Sequence, residues 1–83
     1  MSRTFNKVRK GTNGTDVIVL QSVLRSACYI GADGKEIEID GICGNNTVYA
    51  INDFKRRMKA NGIDVGSIDG VFDRVCWESL GLM

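Results

Sequence analysis

The chain has 83 residues, of which 43% are apolar, and 11 basic against 10 acidic side chains leave a formal net charge of +1. A chain of this length supports one domain around one core, and so balanced a charge excludes a protein whose main work is neutralising nucleic-acid phosphates. The longest apolar runs, such as residues 17–20, are four residues long, far short of the roughly 20 residues that cross a bilayer, so neither nucleic acid nor membrane is expected as a partner.

Residues 1–14 read as a polar, basic tail carrying Arg3, Lys7, Arg9 and Lys10, with a turn at Gly11-Thr12-Asn13-Gly14. No apolar stretch follows the basic residues, so no secretory signal is read here, and any export would depend on other means. A first helix is expected next, capped by Thr15 or Asp16. Its apolar positions Val17, Leu20, Val23, Leu24 and Ala27 follow the helical period to about Cys28. Between Tyr29-Ile30 and Ile37-Glu38-Ile39, the Asp33-Gly34 pair predicts a turn and a short hairpin.

Asn45 or Asn46 is expected to cap a second helix. Val48, Ala50, Ile51, Phe54 and Met58 form its buried stripe, and Gly62 stops it. Lys55, Arg56, Arg57 and Lys59 crowd its last turns, where cations interact favourably with the helix dipole. A short third helix is capped by Asp73, carries Val75, Cys76, Trp77 and Leu80 on its apolar side, and ends at Gly81. The odd number and wide spacing of Cys28, Cys43 and Cys76 fit neither a disulfide framework nor a zinc knuckle, so these read as free and mostly buried thiols.

Comparing the chain with itself exposes a half-repeat. Ile39-Asp40-Gly41-Ile42-Cys43-Gly44 returns as Ile68-Asp69-Gly70-Val71-Phe72-Asp73, each copy running into a helix. In each, the Asp side chain can accept from following amides, Gly admits a positive φ, and an apolar residue plugs the core before the helix. Two copies are too few for a solenoid and predict one pseudo-symmetric core. The fold class expected is therefore mostly α, a three-helix bundle with Asp-Gly turn-helix repeats, filling residues 1–83 as one domain with an ordered core at about 8–82.

Several stretches carry a more specific likeness. Gly11 and Gly14 form an opening loop, and Asp16-Val17-Ile18-Val19-Leu20-Gln21 starts a helix that ends through Leu24 to Tyr29. Asp40-Gly41-Ile42-Cys43-Gly44-Asn45-Asn46-Thr47 precedes Ala50-Ile51-Asn52-Asp53-Phe54, and Asp69-Gly70-Val71 leads to Trp77 and Leu80. In order and spacing this resembles the three-helix peptidoglycan-binding domains found in cell-wall hydrolases and phage endolysins. The resemblance implies a non-catalytic module that binds bacterial peptidoglycan and anchors a lytic enzyme or an assembly to the wall. The alternative is a structural or assembly protein, such as a phage tail or baseplate component, using the same fold for protein contacts. Lys55 stands where the family has Gln, Cys28 where it has the Gly before Tyr, and Asp73 and Cys76 where it has Gly and Thr.

Histidine is absent, which removes Ser-His-Asp triads, Cys-His pairs and His-ligated zinc in their usual forms. Glu36, Glu38 and Asp40 lie close together, but a catalytic acid needs an apolar pocket and this segment reads as an exposed loop. No catalytic residue, metal or cofactor is expected. A peptidoglycan ligand calls for an apolar or aromatic floor with a few aimed polar groups, and the candidate residues are Gln21, Tyr29, Asp40, Asn45, Asn46, Thr47, Tyr49 and Trp77. Within that set, Tyr29 and Trp77 read first as core, Gln21 as bonded to a neighbouring Asp-Gly loop, and Asp40 as a turn-former. Tyr49 falls off the apolar stripe and reads as exposed, while Asn45, Asn46 and Thr47 sit at a helix N-terminus that attracts carboxylates.

Overall fold

A computed structural model describes residues 4–81 and contains three helices, α1 (Thr15–Ser26), α2 (Asn45–Ala60) and α3 (Arg74–Ser79). Arg3 of the basic tail and residue 82 of the expected core lie outside the described residues. Helical spacing brings Val17, Leu20, Gln21 and Leu24 to one face of α1 and Thr47, Ala50, Ile51, Phe54 and Lys55 to one face of α2. Cys76 and Trp77 are the buried residues of α3. These faces meet with Val8, Tyr29, Ile37, Cys43, Val65 and Phe72 in one core. At its centre Phe72 lies between Phe54, 5.2 Å away centroid to centroid, and Trp77, edge-on at 4.8 Å.

No strand forms among the described residues; three isolated antiparallel bridges, Val8–Phe72, Asn13–Ile42 and Ile30–Glu36, tie the connections together. The expected hairpin thus shrinks to the Ile30–Glu36 bridge, closed by the Gly31 amide donating to the Lys35 carbonyl at 2.9 Å. Ile37 turns into the core immediately afterwards, so the returning arm leaves its partner after one pair.

The first two helix starts differ from expectation. Thr15 and Asn45 are already helical, the N-cap positions are Gly14 and Gly44, and neither helix has a side-chain cap. Backbone hydrogen bonds explain why: the Gly14 amide donates to the Gly41 carbonyl and the Gly44 amide to the Ile42 carbonyl, which sets the backbone at the entry of each helix before its polar residues arrive. The Asp16 carboxylate instead accepts from the Asn6 amide. Asp73 does cap α3, accepting from the Cys76 amide.

α1 stops at Ser26, earlier than the expected Cys28, in a closure that α2 repeats. In α2, Gly62 (φ 80°) follows the C-cap, the Ile63 amide donates to the Met58 carbonyl and the Gly62 amide to the Lys59 carbonyl. In α1 the Tyr29 amide donates to the Leu24 carbonyl and the Cys28 amide to the Arg25 carbonyl, which places Cys28 at φ 66°. This double closure normally uses glycine at the left-handed position. Cys28 is consequently exposed on a turn, unlike the buried Cys43 and Cys76, whose thiols burial pushes up to about 11.

The N-terminal segment is no loose tail. Phe5 stacks on Trp77 at 4.3 Å, the Trp77 indole N–H donates to the Asn6 carbonyl at 3.0 Å, and Val8 and Phe72 exchange two backbone hydrogen bonds. Two apolar side chains isolated among charges leave no periodic signal, so only the partner surface of α3 reveals this strap.

A non-glycine residue in the left-handed region costs roughly 1–2 kcal/mol, partly offset by the entropy glycine loses on folding. Cys28→Gly is therefore expected to raise stability by about 1 kcal/mol, read as a higher denaturation midpoint at unchanged m-value. Cys28→Ala, which keeps the Cβ, should give little of that gain.

Candidate functional site

Two Asp-Gly turns precede α2 and α3, and each is folded by its aspartate. Asp40 Oδ1 accepts from the Ile42 amide at 3.0 Å and Asp69 Oδ1 from the Val71 amide at 3.1 Å, with Gly41 and Gly70 at φ 75° and 76°. Each turn then docks on the preceding helix through a side chain at the edge of its apolar stripe, and the two turns use different chemistry.

On the first turn the docking residue is Gln21, 1% exposed. Its Oε1 accepts from the Asp40 and Gly41 amides at 3.1 and 2.9 Å, and its Nε2 reaches Asp40 Oδ1, the Ile42 carbonyl and Thr47 Oγ1 at 3.0–3.1 Å. One amide thereby meets donors and acceptors of the turn together and joins α1 to the first turn of α2. The Ile42 amide, followed by Gln21, holds the Asp40 carboxyl below its ordinary value of 3.8.

The equivalent position on α2 is Lys55, also 1% exposed. Its ammonium donates to the Ser67 carbonyl and to Asp69 Oδ1, both at 2.9 Å. Lysine has no acceptor, so the Gly70 amide, which corresponds to Gly41, is taken by Asn52 Oδ1 at 2.7 Å. Gln21's double role is divided here between Lys55 and Asn52. The Lys55 side chain, followed by the Val71 amide, lowers the Asp69 carboxyl. The departure at Lys55 is thus absorbed inside the fold, as is Cys76, buried with its thiol directed at the Val65 carbonyl.

Around the first turn the surface forms a polar groove of ≈ 150 Å³ lined by Glu38, Asp40, Ile42, Gly44 and Asn45, Asn46 and Thr47. Its floor at the α2 N-terminus carries no side-chain cap. Ile42 is 57% exposed on its wall, so the residue that plugs the core from this turn is Cys43. Asn46 donates to Asp33 Oδ2 at 3.3 Å, which ties the connection after α1 to the groove.

Among the candidate residues, Asp40, Asn45, Asn46 and Thr47 come together in this groove and Gln21 lies directly behind it. Tyr29 and Trp77 are core side chains: Tyr29 packs edge-on against Phe54, and Trp77 is fully buried with its indole N–H satisfied. Tyr49 is 44% exposed but does not line the groove. Glu38 and Ile42 were not legible as groove residues, because Glu38 reads only as part of an exposed loop and nothing local says which of the adjacent Ile42 and Cys43 turns outward.

Two measurements probe this arrangement. Gln21→Lys leaves the Asp40 and Gly41 amides without an acceptor and is expected to cost about 2 kcal/mol; adding Ile18→Asn, which copies the Asn52 solution, should recover part of that loss in a double-mutant cycle. Because both carboxyls are lowered in the folded state, the stability they contribute is present above their unfolded value and lost as pH falls through the folded values. The melting temperature should accordingly drop as pH falls below about 4, with a shallower drop in the Asp40→Asn, Asp69→Asn double variant.

No protein-family model matches the chain, and no curated protein sequence matches it. Among solved structures, the SleB N-terminal domain is similar over 96% of this chain and 94% of its own length, with 24% sequence identity and a TM-score of 0.72. At that identity the likeness establishes the fold: a small, mostly helical three-helix domain shared with the SleB N-terminal domain.

Proposed function

We propose that this chain is a non-catalytic module that binds bacterial peptidoglycan and anchors an associated lytic enzyme to the wall. The observation that carries this reading is the groove at the start of α2, where a turn locked by Gln21 sets Asp40, Glu38, Asn45 and Asn46 beside the exposed Ile42. Fixed polar groups around a small apolar surface suit a ligand built of sugar faces, N-acetyl groups and peptide amides. Support comes also from the ordered Asp-Gly motifs and from the shared fold. Pre-organisation matters because a groove already held by buried hydrogen bonds orders little on binding.

The departures at positions 55 and 76 would bear on the alternative, a phage assembly protein, if they altered the groove. Both residues are engaged in the core, away from the groove, so these departures do not favour it.

Purified protein should co-sediment with isolated sacculi. Asn45→Ala with Ile42→Ser, both at exposed positions, should weaken that binding about tenfold or more, in keeping with a loss of 1.4 kcal/mol or above, while leaving the melting temperature near the wild-type value. Retention of full binding by the double variant would place the ligand elsewhere, and Tyr49→Ala tested beside it would show whether the exposed ring contributes.

A further inference from the structure

Between the C-terminal halves of α1 and α2 and the end of α3, the core opens as an apolar cleft of ≈ 170 Å³, walled by Leu20, Leu24, Tyr29, Phe54, Met58 and Leu80. An apolar cavity of about 150 Å³ accepts a benzene-sized group, so this cleft has room for one branched or aromatic side chain. On its Tyr29 wall the Arg57 guanidinium lies 4.6 Å over the ring. Arg57 makes no ion pair among the described residues, where the basic partners are Arg25, Lys55, Arg56 and Arg74. An unneutralised cation beside an apolar cleft is matched by an apolar side chain with a carboxylate next to it.

The chain displays such a segment on its own surface. Ile39 is 42% exposed and follows Glu38. Among the described residues, Glu38 is the one acidic side chain without a hydrogen bond or ion pair; the others are held by backbone amides, Gln21, Asn46 or basic side chains.

We propose that Ile39 of one copy seats in the apolar cleft of another, with Glu38 against Arg57. Cleft and segment are different surfaces, so the contact is head-to-tail: each added copy presents one free cleft and one free segment, and association continues until a ring closes. The proposal concerns contacts between copies of the chain; Glu38 also lines the groove at the start of α2, so segment and groove share that one residue, and self-association is read without any wall ligand.

Sedimentation equilibrium of the intact chain tests it. At low salt the weight-average mass should rise with concentration from the monomer value, and added salt should reverse the rise. Ile39→Asp and Arg57→Glu, both at exposed positions, should each stay monomeric with unchanged circular dichroism and melting temperature. Mixed in equal amounts, the Ile39→Asp copies supply an intact cleft and the Arg57→Glu copies an intact segment, so the mixture should form heterodimers and nothing larger. A wild-type chain that stays monomeric up to millimolar concentration overturns the proposal, as does self-association that persists in either variant or a mixture that remains monomeric.

Discussion

The Gln21 carboxamide, buried against the first Asp-Gly turn, is the contact on which the rest of the arrangement depends. A buried amide must find partners or destabilise the fold, and here its partners are the turn's own amides, the Asp40 carboxylate and the Thr47 hydroxyl. Because those groups span the end of one connection and the start of α2, the single side chain sets how α1 and α2 meet. The turn is held twice, by Asp40 from within and by Gln21 from behind, and both holds use the same carboxylate oxygen.

The second half of the molecule solves the same problem with different atoms. Lys55 supplies donors and positive charge to Asp69 and Ser67, Asn52 supplies the acceptor that lysine lacks, and the turn geometry is kept. Burying an ammonium is tolerable because its carboxylate partner stays half in solvent and a carbonyl completes the shell. Lys55 is therefore part of the internal wiring of the fold. What must be preserved is the satisfaction of the turn's donors and acceptors, which more than one pair of residues can achieve.

Closure of the domain comes from the N-terminal strap. Phe5 on Trp77 and the paired backbones of Val8 and Phe72 bind the start of the chain to its last helix. This takes up an indole face and its N–H inside the fold. At the first turn the neighbours Ile42 and Cys43 divide in opposite senses, Ile42 facing outward and Cys43 inward.

The amino-acid sequence alone determined the helices and the two turns, because helical periodicity, Asp-Gly pairs and Gly62 act over a few residues and need no distant partner. It also placed Gln21 against an Asp-Gly loop, since a buried amide beside an apolar stripe has few other options. Tertiary structure decided the rest. Whether Asn45 caps a helix or begins it depends on the backbone bonds around Gly44, and whether residues 5–8 are tail or core depends on the face that Trp77 leaves open. The left-handed Cys28, the outward Ile42, and the meeting of Glu38 with the α2 N-terminus likewise arise from groups far apart in the chain. Local pattern fixes which side chains can be buried; only the packed neighbours fix what each one touches.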